Sequence, residues 1–162
     1  MANTFIITGA SSGIGRATAA RLSDEGYAVV NLDKNAPTGT TSATFAEVDL
    51  SDLDSVREIV GNVAADNAVV GLVNNAGYGQ MASLEETSPE LMELTWRINV
   101  LAPAMCAQAV LPSMKSNGFG RIINIISRAA LGRELRTGYA GSKGNLMTMT
   151  RVWALELAQH GI

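Results

Sequence analysis

The chain of 162 residues holds one cysteine, Cys106, and one histidine, His160. A lone cysteine excludes an internal disulfide, and one residue of each type leaves no zinc cluster and no Ser-His-Asp arrangement, so no metal site is expected. Cys106 falls in the apolar stretch APAMCAQAVL and reads as a small buried hydrophobe. No uncharged run approaches the roughly 18 to 20 residues needed to cross a bilayer. Basic residues are scattered and in the minority, 12 Lys and Arg against 15 Asp and Glu, for a net charge of −3. That balance gives no electrostatic reason to expect nucleic acid or an anionic membrane as a partner. The opening MANTFIITG lacks the charged segment and long apolar core of a signal peptide, so the cytoplasm is the expected compartment. Internal repeats, low-complexity tracts and dividing linkers are missing too, which makes residues 1–162 a single expected domain.

What is present is apolar: 47% of residues are hydrophobic and 17% charged, enough to bury a core without staples. Short apolar runs at 4–8, 27–33, 42–50, 68–74 and 120–127 alternate with longer helical patterns. The runs are continuous rather than alternating, which predicts a parallel sheet covered by helices on both faces, the doubly wound α/β architecture of Rossmann type. Ser51 is the expected cap of the helix that follows it, and Ser88 of the next, with Pro89 in its first turn. Pro103, which has no N–H, should kink or split the segment 88–117 just after Asn99. A last helix is expected from about 138 to 159.

After the first run comes TGASSGIG, Thr8 to Gly15, leading into a helical pattern. A glycine turn from a strand end into a helix leaves N–H groups at the positive end of the helix dipole, where a pyrophosphate can sit. Gly9 would permit the turn, Gly13 the approach of a ligand, and Gly15 the packing of the helix on the sheet. The spacing differs from G-x-G-x-x-G, so on its own the loop reads equally as a close-packing turn. Asp33 ends the second run, where a carboxylate can accept hydrogen bonds from ribose hydroxyls and would repel a 2'-phosphate. Ser12 offers no basic partner for such a phosphate either. NAD is therefore expected over NADP, with Lys34 as the residue arguing the other way.

Tyr139 and Lys143 stand four apart in YAGSK, with nothing larger than serine between them. Four helical residues advance about 6 Å and return to nearly the same face. A phenol is a weak base at neutral pH, and a neighbouring ammonium favours its phenolate.

With these segments in order, the sequence resembles the short-chain dehydrogenase/reductase family from residue 4 to its last residue. The motifs are TGASSGIG, Asp49-Leu50, NNAG at 74–77, Asn99, Ser127, and Tyr139 with Lys143. The resemblance implies an oxidoreductase moving hydride between a nicotinamide cofactor and a secondary alcohol or ketone, a 3-oxoacyl compound or similar small carbonyl among them. It implies cofactor contacts from Gly9, Ser11, Ser12, Gly13, Ile14, Gly15, Asp33, Asp49, Leu50, Asn75, Ala76, Gly77, Tyr139 and Lys143. Tyr139 would exchange the proton with the substrate oxygen and Ser127 would orient that oxygen. Lys143 would hold the nicotinamide ribose, and Asn99 would steady a water-linked proton path to it. Arg128, Arg133 and Arg136 form a loop expected to border the substrate or to lie in solvent.

Relative to the family pattern the chain is C-terminally incomplete: a further strand, a substrate-closing loop and a last helix are expected after ELAQHGI and are absent from it. A non-catalytic dinucleotide-binding or assembly fragment is therefore the alternative. The apolar stretches LMTMTRVWALELA and APAMCAQAVL lead us to expect a homo-oligomer, a dimer or tetramer.

Overall fold

A computed structural model describes residues 3–162. Five parallel strands form one sheet: β1 (Asn3–Thr8), β2 (Ala28–Asp33), β3 (Thr44–Glu47), β4 (Ala68–Asn74) and β5 (Arg121–Asn124), in the order β3-β2-β1-β4-β5. The chain winds outward from β1 through β2 to β3, then crosses back to build β4 and β5 on the other side. Between the ends of β1 and β4 the winding therefore reverses, and there the strand ends open a crevice.

Helices cover both faces. α2 (Leu53–Asp66) and α4 (Ala102–Asn117) close the larger core, in which Ile6, Leu32, Val56, Val60, Leu72, Cys106 and Met114 are fully or almost fully buried. α1 (Gly13–Asp24) covers Ile7, Val29 and Val73 on the opposite face through Ala19. α3 (Pro89–Trp96) and α5 (Thr137–Leu157) complete the set, and a 3₁₀ turn, Ala158–His160, carries α5 slightly further.

Three local expectations are corrected. α2 is capped by Asp52 rather than Ser51: the Asp52 carboxylate accepts from the N–H groups of Asp54 and Ser55 at 3.2 Å each, while Ser51 donates back to Asp49. A carboxylate one residue nearer reaches two orphan donors at once, which the serine cannot. β3 and β5 are shorter than their apolar runs, because both are edge strands and one neighbour holds too few residues in register. The break in 88–117 is a π turn, Arg97–Leu101, in which the Ala102 N–H bonds to the Arg97 carbonyl. Pro103 cannot donate to the carbonyl of Asn99, so the helix widens there instead of splitting. Ser88 does cap α3, accepting from the Leu91 N–H at 3.2 Å, with Pro89 in the first turn.

Candidate active site

The glycine loop is held from behind by side chains. Thr8 Oγ1 accepts from the N–H groups of Asn75 (3.0 Å) and Ala76 (3.1 Å), and Asn75 Nδ2 donates to the carbonyls of Thr8 (2.9 Å) and Gly9 (3.1 Å). Gly9 turns the chain at φ +71°. Gly15 packs against this loop rather than the sheet, since a Cβ there would stand 2.3 Å from the Gly9 carbonyl oxygen and 2.5 Å from Asn75 Nδ2. At the start of α1, Ser12 occupies the N-cap position without a side-chain cap. The first-turn N–H groups are thus left to face outward, as an anion site requires.

Those groups border a cleft of about 530 Å³ that runs along the strand ends. Gly9, Ser12, Gly13 and Ile14 form one wall. Leu32, Val48 and Leu50 make an apolar floor, with Asp33 and Asp49 as the polar groups beside it. Asp33 is fixed by two N–H groups, Ser11 on Oδ2 and Asn35 on Oδ1, both at 3.1 Å. Its carboxylate retains free lone pairs for hydroxyl donors. The N–H and hydroxyl of Ser51 bond to Asp49 at 2.8 and 2.7 Å and hold its carboxyl below the usual range. Two of the loop residues expected to touch the cofactor, Ser11 and Gly15, are buried and do not line the cleft; the Ser11 hydroxyl donates to the Asn35 carbonyl at 2.5 Å.

The cleft ends at Gly77 and Tyr78, where the second half of the site begins. Asn99, fully buried in the π turn, accepts from the Tyr78 N–H at 2.8 Å and donates to the Tyr78 carbonyl (2.8 Å) and to Ser142 Oγ (2.9 Å). Both amide protons are therefore used inside the protein. The side chain braces the loop onto α5.

Lys143 is only 3% exposed and donates through Nζ to the Ile125 carbonyl at 2.7 Å. Among the described residues no carboxylate pairs with it. Burial alone lowers its pKa from 10.5 to about 8. A methyl on Gly77 would stand 3.3 Å from Nζ and 3.5 Å from Asn99 Oδ1, so the NNAG loop, Asn99 and Lys143 converge on one point. Tyr139, one turn earlier on α5, lays its ring on Gly79, where a Cβ would be 2.5 Å from Cδ2. Ser127 lies two residues beyond the carbonyl that holds Lys143, and its Oγ accepts from the Ala129 N–H at 3.2 Å. Arg136 is not a free cation: it donates to the Gly79 carbonyl at 3.2 Å with its guanidinium 5.8 Å from the centre of the Tyr139 ring. Arg128 and Arg133 are exposed.

Three contributors were not singled out from the sequence: Thr8, Asn31 and Ser142. Asn31 had a visible signal, a polar residue inside the apolar run AVVNLD. Thr8 and Ser142 had none, because their partners lie 67 and 43 residues away. Among the described residues no group of three or more His, Cys, Asp or Glu could hold a metal, and no helix is long and apolar enough to cross a membrane. Cys106 is buried, and desolvation pushes its thiol up to about 12.

The profile of the short chain dehydrogenase family matches residues 3–162. A dehydrogenase subunit of Thauera aromatica, acting on (2S)-[(R)-hydroxy(phenyl)methyl]succinyl-CoA by its name, is 36% identical over 97% of this chain and 68% of its own length. A gluconate 5-dehydrogenase of Burkholderia cenocepacia, solved with NADP and tartrate, superposes with a TM-score of 0.90 at 32% identity, over 99% of this chain and 68% of that one. An NAD+-bound xylitol dehydrogenase superposes with a TM-score of 0.88 at 30% identity, over 99% of this chain and 66% of that one. The chain thus spans about two thirds of the length of these relatives.

Proposed function

The chain belongs to the short-chain dehydrogenase family, and from that premise we propose that it is the dinucleotide-binding and catalytic part of an NAD-dependent oxidoreductase of secondary alcohols and ketones. The observation that carries this reading is Lys143. A structural lysine this deeply buried would normally be matched by a carboxylate. Here, among the described residues, one of its three N–H donors goes to a carbonyl and no carboxylate pairs with it, beside a cleft walled by an uncapped helix N-terminus. The unmatched ammonium and the open N–H groups fit the nicotinamide ribose and the pyrophosphate of one dinucleotide.

In this reading the first-turn N–H groups of α1 hold the pyrophosphate and Leu50 and Asp49 border the adenine. Asp33 accepts the adenosine ribose hydroxyls. Its carboxylate is fixed by Ser11 and Asn35, so it cannot swing aside for a 2'-phosphate, which favours NAD over NADP despite Lys34 beside it. Lys143 donates its remaining protons to the nicotinamide ribose. When bound, the cofactor supplies the hydride acceptor or donor. The protein's part is proton handling and orientation: Tyr139 exchanges a proton with the substrate oxygen, helped by the cation one turn away, while Ser127 hydrogen-bonds that oxygen. Asn99 and Ser142 keep the Tyr78 loop and α5 in register.

Substrates would be secondary alcohols or small ketones, 3-oxoacyl compounds included. Self-association through α4 and α5 belongs to the same proposal, since Leu155 is 83% exposed and Val152 45%. A cytoplasmic setting fits the single, buried cysteine.

The test is Tyr139→Phe, followed by absorbance at the reduced-nicotinamide band with a panel of ketones. Loss of at least about a hundredfold in kcat is expected for a general acid or base; activity within a few-fold of the parent removes Tyr139 from the role. A second reading, a binding module without turnover, is favoured by the open apolar side chains of Leu131 and Leu135 in the segment between Ser127 and Tyr139. It predicts NADH binding with no absorbance change for any ketone.

A further inference from the structure

Asn31 sits in the middle of β2, paired in register with Ile7 of β1 and Phe45 of β3, and is 1% exposed. A buried amide among apolar neighbours is costly unless its polar atoms are matched. Both of them are. Oδ1 accepts from the Ala10 N–H at 3.0 Å, and Nδ2 donates to Ser11 Oγ at 2.9 Å. Ser11 carries the connection onward, its hydroxyl donating to the Asn35 carbonyl and its N–H to Asp33 Oδ2. Asn35 closes the circuit through its N–H to Asp33 Oδ1.

The circuit ties the glycine loop to the end of β2 and the turn after it, segments that both border the adenosine end of the cleft. Resting on the dinucleotide reading above, we propose that Asn31 is a positioning residue for cofactor choice. From inside the sheet, and without touching the cofactor, it sets Ser11 so that Ser11 fixes the Asp33 carboxylate in its hydroxyl-accepting orientation. Without Asn31, the Ala10 N–H and the Ser11 hydroxyl lose their partner, Ser11 is free to shift, and one of the two N–H groups on Asp33 goes with it. Asp33 can then turn away, which weakens NAD and relieves the repulsion of a 2'-phosphate, with exposed Lys34 beside it.

The experiment is equilibrium binding of NADH and NADPH, followed by fluorescence, to the parent chain, Asn31→Val, Ser11→Ala and the double variant. Valine suits a central strand, and circular dichroism with thermal melting checks that it folds. We expect Asn31→Val to weaken NADH by roughly tenfold, the effect of one or two buried hydrogen bonds, and NADPH by clearly less. Ser11→Ala should shift the ratio the same way, and the double variant should cost less than the two single effects multiplied, because both cut one circuit. If Asn31→Val leaves NADH affinity within twofold, or weakens both cofactors equally, the proposal is overturned. Should Asn31→Val not fold, Ser11→Ala decides by the same ratio. A parent chain that binds neither cofactor removes the dinucleotide reading and this inference with it, whereas a parent that binds NADH and a variant with an unchanged ratio removes only the inference.

Discussion

Replacing Lys143 by methionine keeps an unbranched stem of similar length and removes an ammonium that the fold has taken out of water. Burial lowers its pKa from 10.5 to about 8. Between those two values the unfolded chain holds a proton on this lysine that the folded chain has released. Unfolding there takes up a proton, so stability rises with pH by about 1.4 kcal/mol per pH unit across the window. The whole rise comes to about 3 kcal/mol between pH 8 and 10.5; below pH 8 the contribution is flat at its lowest, and above 10.5 it is complete. The methionine variant lacks this rise. At pH 7 it escapes the cost of a buried charge but leaves the Ile125 carbonyl without its donor, a loss of about 1 to 3 kcal/mol that offsets much of the gain. The difference at one pH is therefore a poor guide, and the difference in slope is the diagnostic. Urea unfolding of the cofactor-free parent and Lys143→Met at half-unit steps from pH 7 to 10.5 reads it directly, other titrating groups cancelling in the subtraction. Curves that stay parallel to within about 0.5 kcal/mol refute the argument that Lys143 is desolvated and unmatched.

Gly15→Ala places a methyl 2.3 Å from a backbone oxygen and 2.5 Å from Asn75 Nδ2, so the loop and its brace must both move. We expect a loss of about 1 to 3 kcal/mol in unfolding free energy and at least tenfold in NADH affinity, measured by denaturation and fluorescence titration; unaltered binding would show that the brace does not shape the cleft. Leu155→Glu puts a charge on the most open apolar position of α5. Light scattering at micromolar concentration should give a smaller mass than for the parent, and a monomeric parent refutes the proposed association outright.

The central strands were legible because each is buried on both faces. β1, β2 and β4 need predominantly apolar runs, and their ends fall within a residue of those runs. β3 and β5 lie at the edges, and there the same kind of run continues past the last paired residue into the cleft wall or the loop bearing Ser127. Apolar character marks burial, not hydrogen-bonded register, so it overestimates edge strands. Spacing placed Tyr139 and Lys143 on one helix face. It could not say that Lys143 would be buried rather than solvated, because the acceptor that holds it, on Ile125, comes from another element 18 residues back. For Asn99, which side-chain atoms of the amide are taken inside the protein was not legible, because that depends on Tyr78 and Ser142, neither of which is near it in the chain.

Much of what fixes the site is one kind of side chain at one kind of place. Asn31, Asn75 and Asn99 each stand at or beneath a strand-end loop, and each matches backbone groups of that loop with an amide carrying donor and acceptor like a peptide unit. Loops at the ends of parallel strands have lost the sheet's own pairing, and water would otherwise take its place. An asparagine buried next to them extends the ladder sideways without adding charge. Aspartate would carry no donor for the carbonyls of Gly9 and Tyr78, and leucine would leave polar groups stranded. The cleft is consequently held in shape before any ligand arrives, so little ordering remains to be done on binding. Among the described residues the Lys143 ammonium stands in this frame held by a carbonyl and paired with no carboxylate.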